Sequence, residues 1–321
     1  MKVRTCTLFA VLVLTFCGSP LLTAQIFPTD FRLGYMANLT HTQALIGVAR
    51  GDFAAALGAG TKLVTVVFNA GPSIVEALFA GKIDVAYLGP SPAINGFLKS
   101  KGKAFTIVAG ATEGGASLVV QRNLAPGFPG SMVGGRIASP QLGNTQDVAL
   151  RTYLRVHELK ATVLPTENSL ILPAFQRGDL AGAWVPEPWA TRLVLEGGGT
   201  RVVDERDLWS NSRFPTTVVV VATAFATAHP QAVASFVSSH RLLTEWIGAY
   251  PEQAQGAVNS ALASITGRPL GQNVLSEAWK RFEVTSDLEP IKFQKLADNA
   301  KALLFLRGNT DLSGLFSKGS F

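Results

Sequence analysis

Ala77 to Ala93 reads ALFAGKIDVAYLGPSPA, and 97 residues further along Ala174 to Ala190 reads AFQRGDLAGAWVPEPWA. The two stretches share a glycine (Gly81, Gly178), a branched residue two positions later (Ile83, Leu180), an alanine (Ala86, Ala183), an aromatic (Tyr87, Trp184) and the closing alanine. Each runs helix, tight glycine turn, short strand, proline-bearing loop. A second pair precedes them at a similar separation. LGYMANLTHTQALIG from Leu33 and IASPQLGNTQDVALR from Ile137 both read as a strand, a polar loop and then Thr-Gln opening a helix, at Thr42 and Thr145. Two elements repeated in the same order predict two α/β lobes of like topology. In open α/β sheets ligands bind beyond the carboxyl ends of strands, so the loops after the repeated strands are expected to face each other across a cleft.

Outward from the repeat, short β-branched runs alternate with Ala- and Leu-rich helical patterns. The strands are expected at Phe31 to Tyr35, Thr61 to Phe68, Val85 to Leu88, Thr106 to Ala109, Ala116 to Val120 and Val133 to Ala138. Strands spaced by helices imply mostly parallel sheets covered on both faces. Pro215 to Ala222, PTTVVVVA, is the last convincing strand. From His229 onward only helical periodicity remains, with Val233, Phe236, Val237, His240, Leu243 and Ile247 on one face of the first helix.

The chain has 321 residues, 47% hydrophobic and 16% charged, enough to bury a sizeable core and incompatible with disorder, collagen or coiled coil. Its charge of +6 is spread without a run of Lys and Arg, so nucleic acid is not an expected partner. Lys2 and Arg4, the apolar run Leu8 to Cys17 and the small-residue exit at Thr23 and Ala24 read as a secretory signal peptide over residues 1–24. Phe16 before Cys17 argues against lipid attachment. Removing the leader lowers the charge to +4 and takes both cysteines with it, leaving no thiol for a disulfide, a nucleophile or a metal. No later stretch is apolar for long enough to span a bilayer. A soluble periplasmic protein is the expectation.

The loops after the expected strands carry hydroxyl and amide donors: Asn38 to Thr42, Gly71 to Ser73, Gly89 to Pro92 and Gly143 to Thr145. All lie at expected helix N-termini, where unpaired N–H groups and the helix dipole favour an anion. Capping alone accounts for any one of them, Ser73 with Glu76 having the capping-box spacing. None contains Lys or Arg, which suits a weakly basic, fully ionised oxyanion held by neutral donors. Trp184, Trp189, Tyr87 and Phe214 adjoin these loops as candidate walls for an organic tail, with core packing as the alternative for each.

In these stretches the chain resembles the periplasmic substrate-binding proteins of ABC importers, specifically the aliphatic sulfonate, taurine, nitrate and bicarbonate group. The resemblance rests on LGYMANLTHTQALIGVARGDF, IVEALFAGKIDVAYLGPSPAINGF, LGNTQDVALRTYL, AFQRGDLAGAWVPEPWATRL and HPQAVASFV, in that order, and covers essentially the whole chain after the leader. It implies a two-lobed type II periplasmic binding protein fold with crossovers near Ala116 to Val120 and Pro215 to Ala222. One lobe would take residues 25–118 plus 219–321 and the other 119–218, in a monomer. The lobes would close on a small-molecule anion and dock on a membrane permease. By motif, the family's ligand loops fall on Asn38, Thr40, His41, Ser73, Gly89, Pro90, Ser91, Asn144, Thr145, Trp184 and Glu187.

His41, His157, His229 and His240 are far apart and none has zinc-hydrolase spacing. There is no GxSxG elbow, and without a GxGxxG or Walker loop nucleotide cofactors have no visible site; the resemblance implies no dedicated catalytic residue and no cofactor is expected. Enzymes on a similar fold, the thiamin-pyrimidine synthases and some menaquinone-pathway enzymes, are the alternative class. The former carry a cysteine-rich motif that a chain without mature cysteines lacks. Nitrate, bicarbonate, phosphonate and a pyrimidine remain as alternatives to an organosulfonate.

Overall fold

The computed structural model describes residues 29–317; residues 1–24, read above as a signal peptide, lie outside it with Gln25 to Pro28 and the last four residues. Among the described residues eleven strands form two sheets: β1 Thr29–Met36, β2 Thr61–Phe68, β3 Val85–Leu88, β4 Phe105–Gly114, β5 Ala116–Val120, β6 Arg136–Ser139, β7 Thr162–Pro165, β8 Gly182–Pro186, β9 Thr200–Asp204, β10 Pro215–Ala222 and β11 Phe282–Val284. The first sheet has the order β11-β4-β10-β3-β1-β2 and the second β7-β6-β8-β5-β9. Within each, three parallel strands (β2-β1-β3 and β7-β6-β8) are followed by antiparallel neighbours, so the sheets are mixed and not mostly parallel as expected, because the strands β5 and β10 that follow the crossings run against their neighbours. The sheets are therefore two copies of one plan, in which β1 corresponds to β6, β3 to β8 and β10 to β5.

This plan accounts for the repeat in the sequence. β3 and β8 sit in mid-sheet and are buried along their whole length, so small and apolar residues recur there. Gly81 and Gly178, which turn the chain from helix into strand, have φ of 62° and 78°, a conformation an L side chain rarely adopts. One strand starts later than expected. β6 begins at Arg136, because Val133 to Gly135 form a turn in which Gly134 takes φ 76°.

β5 lies wholly in the second sheet and β10 wholly in the first. The chain therefore changes sheet at Gly115 and returns between Asp204 and Pro215, a few residues before the expected lobe limits at 118 and 218. After β10 the helices Pro230–Ala249, Pro251–Thr266, Gln272–Trp279 and Pro290–Ala302 pack on the first lobe, but the region is not helical only as expected: the three-residue β11, too short to show an alternating pattern, pairs with β4. The first of them buries the six residues anticipated from its periodicity. Among the described residues no helix is long and apolar enough to cross a membrane, and no cluster of His, Cys, Asp or Glu could hold a metal.

Three aromatics expected near the ligand belong to these cores. Tyr87 Oη donates to His240 Nδ1 at 2.8 Å, and His240 Nε2 donates to the Gly110 carbonyl at 2.8 Å. Phe214 is fully buried against Trp209. Trp184 is fully buried in the second lobe among Leu118, Ile137 and Tyr153, and its indole donates to Glu205 Oε2 at 2.8 Å. Strand alternation explains the placement, since Ala183 and Val185 point to one face of the sheet and Trp184 to the other.

Burial raises the Glu205 carboxyl to a pKa of about 8, against the indole hydrogen bond. It is thus protonated when folded and ionised in the unfolded chain above about pH 4.5. Unfolding then releases a proton between these values, so stability falls as pH rises through the window. Glu205→Gln, which keeps an acceptor for Trp184, is expected to flatten that fall by a few kcal/mol at most. Urea midpoints of both proteins at pH 5 and pH 8 measure it.

Candidate functional site

The carboxyl ends of β1 and β3 in one lobe face those of β6 and β8 in the other, and the lobes meet there. Asn38, Thr40 and His41 form the short helical turn after β1, all buried. The Leu39 N–H donates to the Glu187 carbonyl at 3.2 Å, and Trp189 Nε1 donates to Asn38 Oδ1 at 2.9 Å. Asn69 Nδ2 reaches Glu167 Oε1 at 3.3 Å, Ser73 Oγ reaches Gln141 Oε1 at 3.4 Å and the Ser91 N–H reaches Thr145 Oγ1 at 3.4 Å. All five bonds join one lobe to the other, so the described arrangement is closed.

Three helix N-termini converge at this junction: Gly71–Phe79, Pro90–Lys99 and Thr145–Val156. A Cβ on Gly71 would lie 2.5 Å from Pro92 Cγ and 3.6 Å from Asn144 Oδ1, and one on Gly89 would run into Thr145 Oγ1. Prolines thin out the donors. With Pro90 and Pro92 lacking N–H groups, the first turn of the second helix offers the Ser91 amide. Ser91 Oγ is buried and meets no partner among the described residues. The third helix is answered by its own residues. Asn144 Oδ1 accepts from the Thr145 amide at 2.8 Å, and Asp147, fully buried, accepts from the Gly143 amide and from Arg151. What that terminus presents to the other lobe is the Thr145 hydroxyl.

Residues 25–262 match the model of the NMT1-like family. The chain belongs to that family. It is 28% identical over 195 residues to the taurine-binding periplasmic protein of Escherichia coli K12, a match covering 60% of this chain and 59% of the relative, less than two thirds of that protein's length. Among solved structures, the alkanesulfonate-binding protein SsuA of Xanthomonas axonopodis pv. citri bound to MOPS aligns with TM-score 0.69 at 21% identity, covering 88% of this chain and 95% of that one. The periplasmic nitrate-binding protein NrtA of Synechocystis PCC 6803 aligns with TM-score 0.74 at 13% identity, covering 88% and 84%. At these identities the likeness is one of fold, and the family fold is the two-lobed one described above.

In this family member a cavity of about 750 Å³ opens beside the junction, walled by both lobes through Asn38, Phe68, Asn168, Trp189 and Arg192. Asn168 Oδ1 is buried with no partner among the described residues. Asn168 was not anticipated. It follows β7 as Gly71 follows β2, so the repeat placed it, but the two segments share too little sequence for the pairing to be read. Trp189 is the one aromatic of the expected four to reach the cavity. Arg192 and Arg268 supply cations the loops do not, beside the carboxylates of Glu167 and Glu196; the Arg192 Nε is paired with Glu196 at 2.8 Å and its guanidinium lies 5.0 Å from the Trp189 ring centroid.

Other expected residues hold the frame. Glu187 is fully buried, its carboxylate shared between the Thr191 amide at 3.0 Å and Arg201 at 3.1 Å. Burial pushes that carboxyl up while Arg201 draws it down. The Thr40 carbonyl accepts from Thr112 Oγ1 at 2.7 Å. His41 Nδ1 accepts from the Met36 amide at 3.3 Å, and burial lowers its pKa to about 3, so the imidazole is neutral.

Because Gly89 leaves no space for a side chain against Thr145, Gly89→Ala is expected to fold with an unfolding midpoint near the parent's and to hold the lobes apart. Small-angle scattering should then give it the larger radius of gyration. Equal radii would mean that the hydroxyl swings aside.

Proposed function

We propose that this protein is an extracytoplasmic solute receptor that binds a small organic oxyanion, an aliphatic sulfonate in the first place, and delivers it to an ABC import permease. The observation that carries the reading is the meeting of three helix N-termini from two lobes around the Ser91 amide and the unmatched Ser91 hydroxyl. Oriented neutral donors at helix ends stabilise a charged oxygen without a counter-ion. The adjoining cavity, with Trp189 and Phe68 in its wall, has room for an organic tail, which favours an organosulfonate over nitrate or bicarbonate. The relatives named above are binding proteins for taurine, alkanesulfonates and nitrate, which supports an oxyanion and a receptor over an enzyme. Export through the leader and function as a periplasmic monomer belong to the same reading, with the lobes hinging at the two crossovers.

A thermal-shift panel of taurine, longer alkanesulfonates, alkylphosphonates, nitrate and bicarbonate tests it, because a ligand selective for the native state raises the unfolding midpoint by mass action. At least one sulfonate is expected to shift the midpoint most; a response confined to nitrate or bicarbonate would sink the organic-tail reading.

Calorimetry on two variants locates the anion. Thr145→Val removes the hydroxyl at the junction and is expected to weaken the sulfonate about ten- to a hundredfold, the loss of one hydrogen bond to a charged group. Asn144→Ala removes a cap and is expected to lower stability by about 1 kcal/mol with affinity nearly kept.

Sulfonate affinity is expected to stay level between pH 5 and pH 8, since His41 charges only near pH 3. Binding that strengthens below a midpoint near 6.5 would show a histidine charging beside the anion.

A further inference from the structure

Away from the cleft, a second cavity of about 290 Å³ lies where both lobes and the second crossover meet. Val148, Thr152 and Tyr153 come from the helix Thr145–Val156, Glu205 and Trp209 from the crossover, and Leu296 from the helix Pro290–Ala302. It shares no wall residue with the cleft cavity. Protein interiors are close-packed, and an unfilled apolar space forfeits the contacts its walls could make.

The walls specify an occupant. Most of the exposed wall is apolar or aromatic, and the polar members are Thr152, Glu205, Lys295, Asn299 and His157, whose ring lies 4.2 Å from that of Tyr153. Thr152 Oγ1 is buried and meets no partner among the described residues. The Glu205 carboxyl, 2% exposed, takes the Trp184 indole and is uncharged at neutral pH. The nearby cation is already engaged: Lys295 Nζ donates to the Leu208 carbonyl at 3.1 Å and stands 4.2 Å from the Trp209 ring centroid. A charged molecule would exchange its hydration for a mostly apolar wall, whereas a flat neutral ring bearing one hydroxyl would cover the aromatic walls and offer a hydrogen bond to Thr152 or Glu205. We propose that this junction cavity, lined by Thr152, Tyr153, Glu205, Trp209 and Leu296, is a second ligand site for a small neutral aromatic alcohol of the phenol class. It is independent of what the cleft binds.

p-Cresol serves as the probe. Titrated into the protein and followed by calorimetry and by tryptophan fluorescence excited beyond the cresol absorption, it is expected to bind saturably at one molecule per chain. Ala149→Phe, which fills the space from the same wall, is expected to abolish binding. Thr152→Val, close to isosteric, is expected to weaken it up to about tenfold, as for one neutral hydrogen bond. In Trp209→Phe the calorimetric signal should persist while the fluorescence response is lost. p-Toluenesulfonate, the charged counterpart of similar shape, should produce no signal that Ala149→Phe removes. Absence of saturable cresol binding, or binding that Ala149→Phe and Thr152→Val both leave intact, would overturn the proposal. If Ala149→Phe does not fold, Thr152→Val and Trp209→Phe decide the outcome by the same criteria.

Discussion

Each lobe is completed by a strand that arrives from the other. β10 enters the first sheet between β3 and β4, antiparallel to both, and β5 enters the second between β8 and β9. The second sheet closes its ladder once the chain has crossed, but the first gains β10 and β11 only after the chain has crossed twice, so the two halves are bound into one folding unit. The first crossing is also very tight. Gly114 and Gly115 take φ of 75° and 76°, and a Cβ on either would lie 2.9 Å from Arg281 O or Phe282 Cβ respectively. Only glycine tolerates both the conformation and the approach.

Charges are arranged around these crossings. Glu113, at the end of β4, receives Lys292 at 3.1 Å and also Arg213 from the second crossover. Arg201, on β9, ties Glu187 and Thr191, and also Ser117 on β5, so the loop after β8 is fastened to the neighbouring strands. Asp204 takes Arg206 at 2.8 Å and lies 3.6 Å from Arg281. Buried pairs of this kind add little net stability compared with apolar packing, but removing one partner strands the other. Their effect is to hold the cleft loops in position.

The closed junction is built from backbone and short side chains. Glycine at 71 and 89 lets the helix starts approach, and proline at 90 and 92 removes competing amides, so that Ser91 faces Thr145 almost alone. Aromatic bulk is kept to one side, on Trp189 and Phe68, where the cavity widens. A pole of fixed dipoles beside a chamber that carries Phe68 and Trp189 among its polar wall residues is the physical basis for preferring an anion with a tail.

Local patterning determined the two-lobed plan. The glycine turns at 81 and 178, the apolar strands that follow and the polar loops at 38–42 and 143–145 are set by backbone geometry and burial, which act residue by residue and leave a readable trace. The face of the helix Pro230–Ala249 was legible for the same reason. Which way a buried side chain points across a sheet, and which lobe it meets, were decided by tertiary structure. Trp184 and Trp189 look alike in the sequence, yet one is locked to Glu205 in a core and the other reaches over the cleft to Asn38. Asn168 and Arg192 entered the cavity wall only because two sheets far apart in the chain face each other, a relation that long-range packing creates and no local spacing encodes.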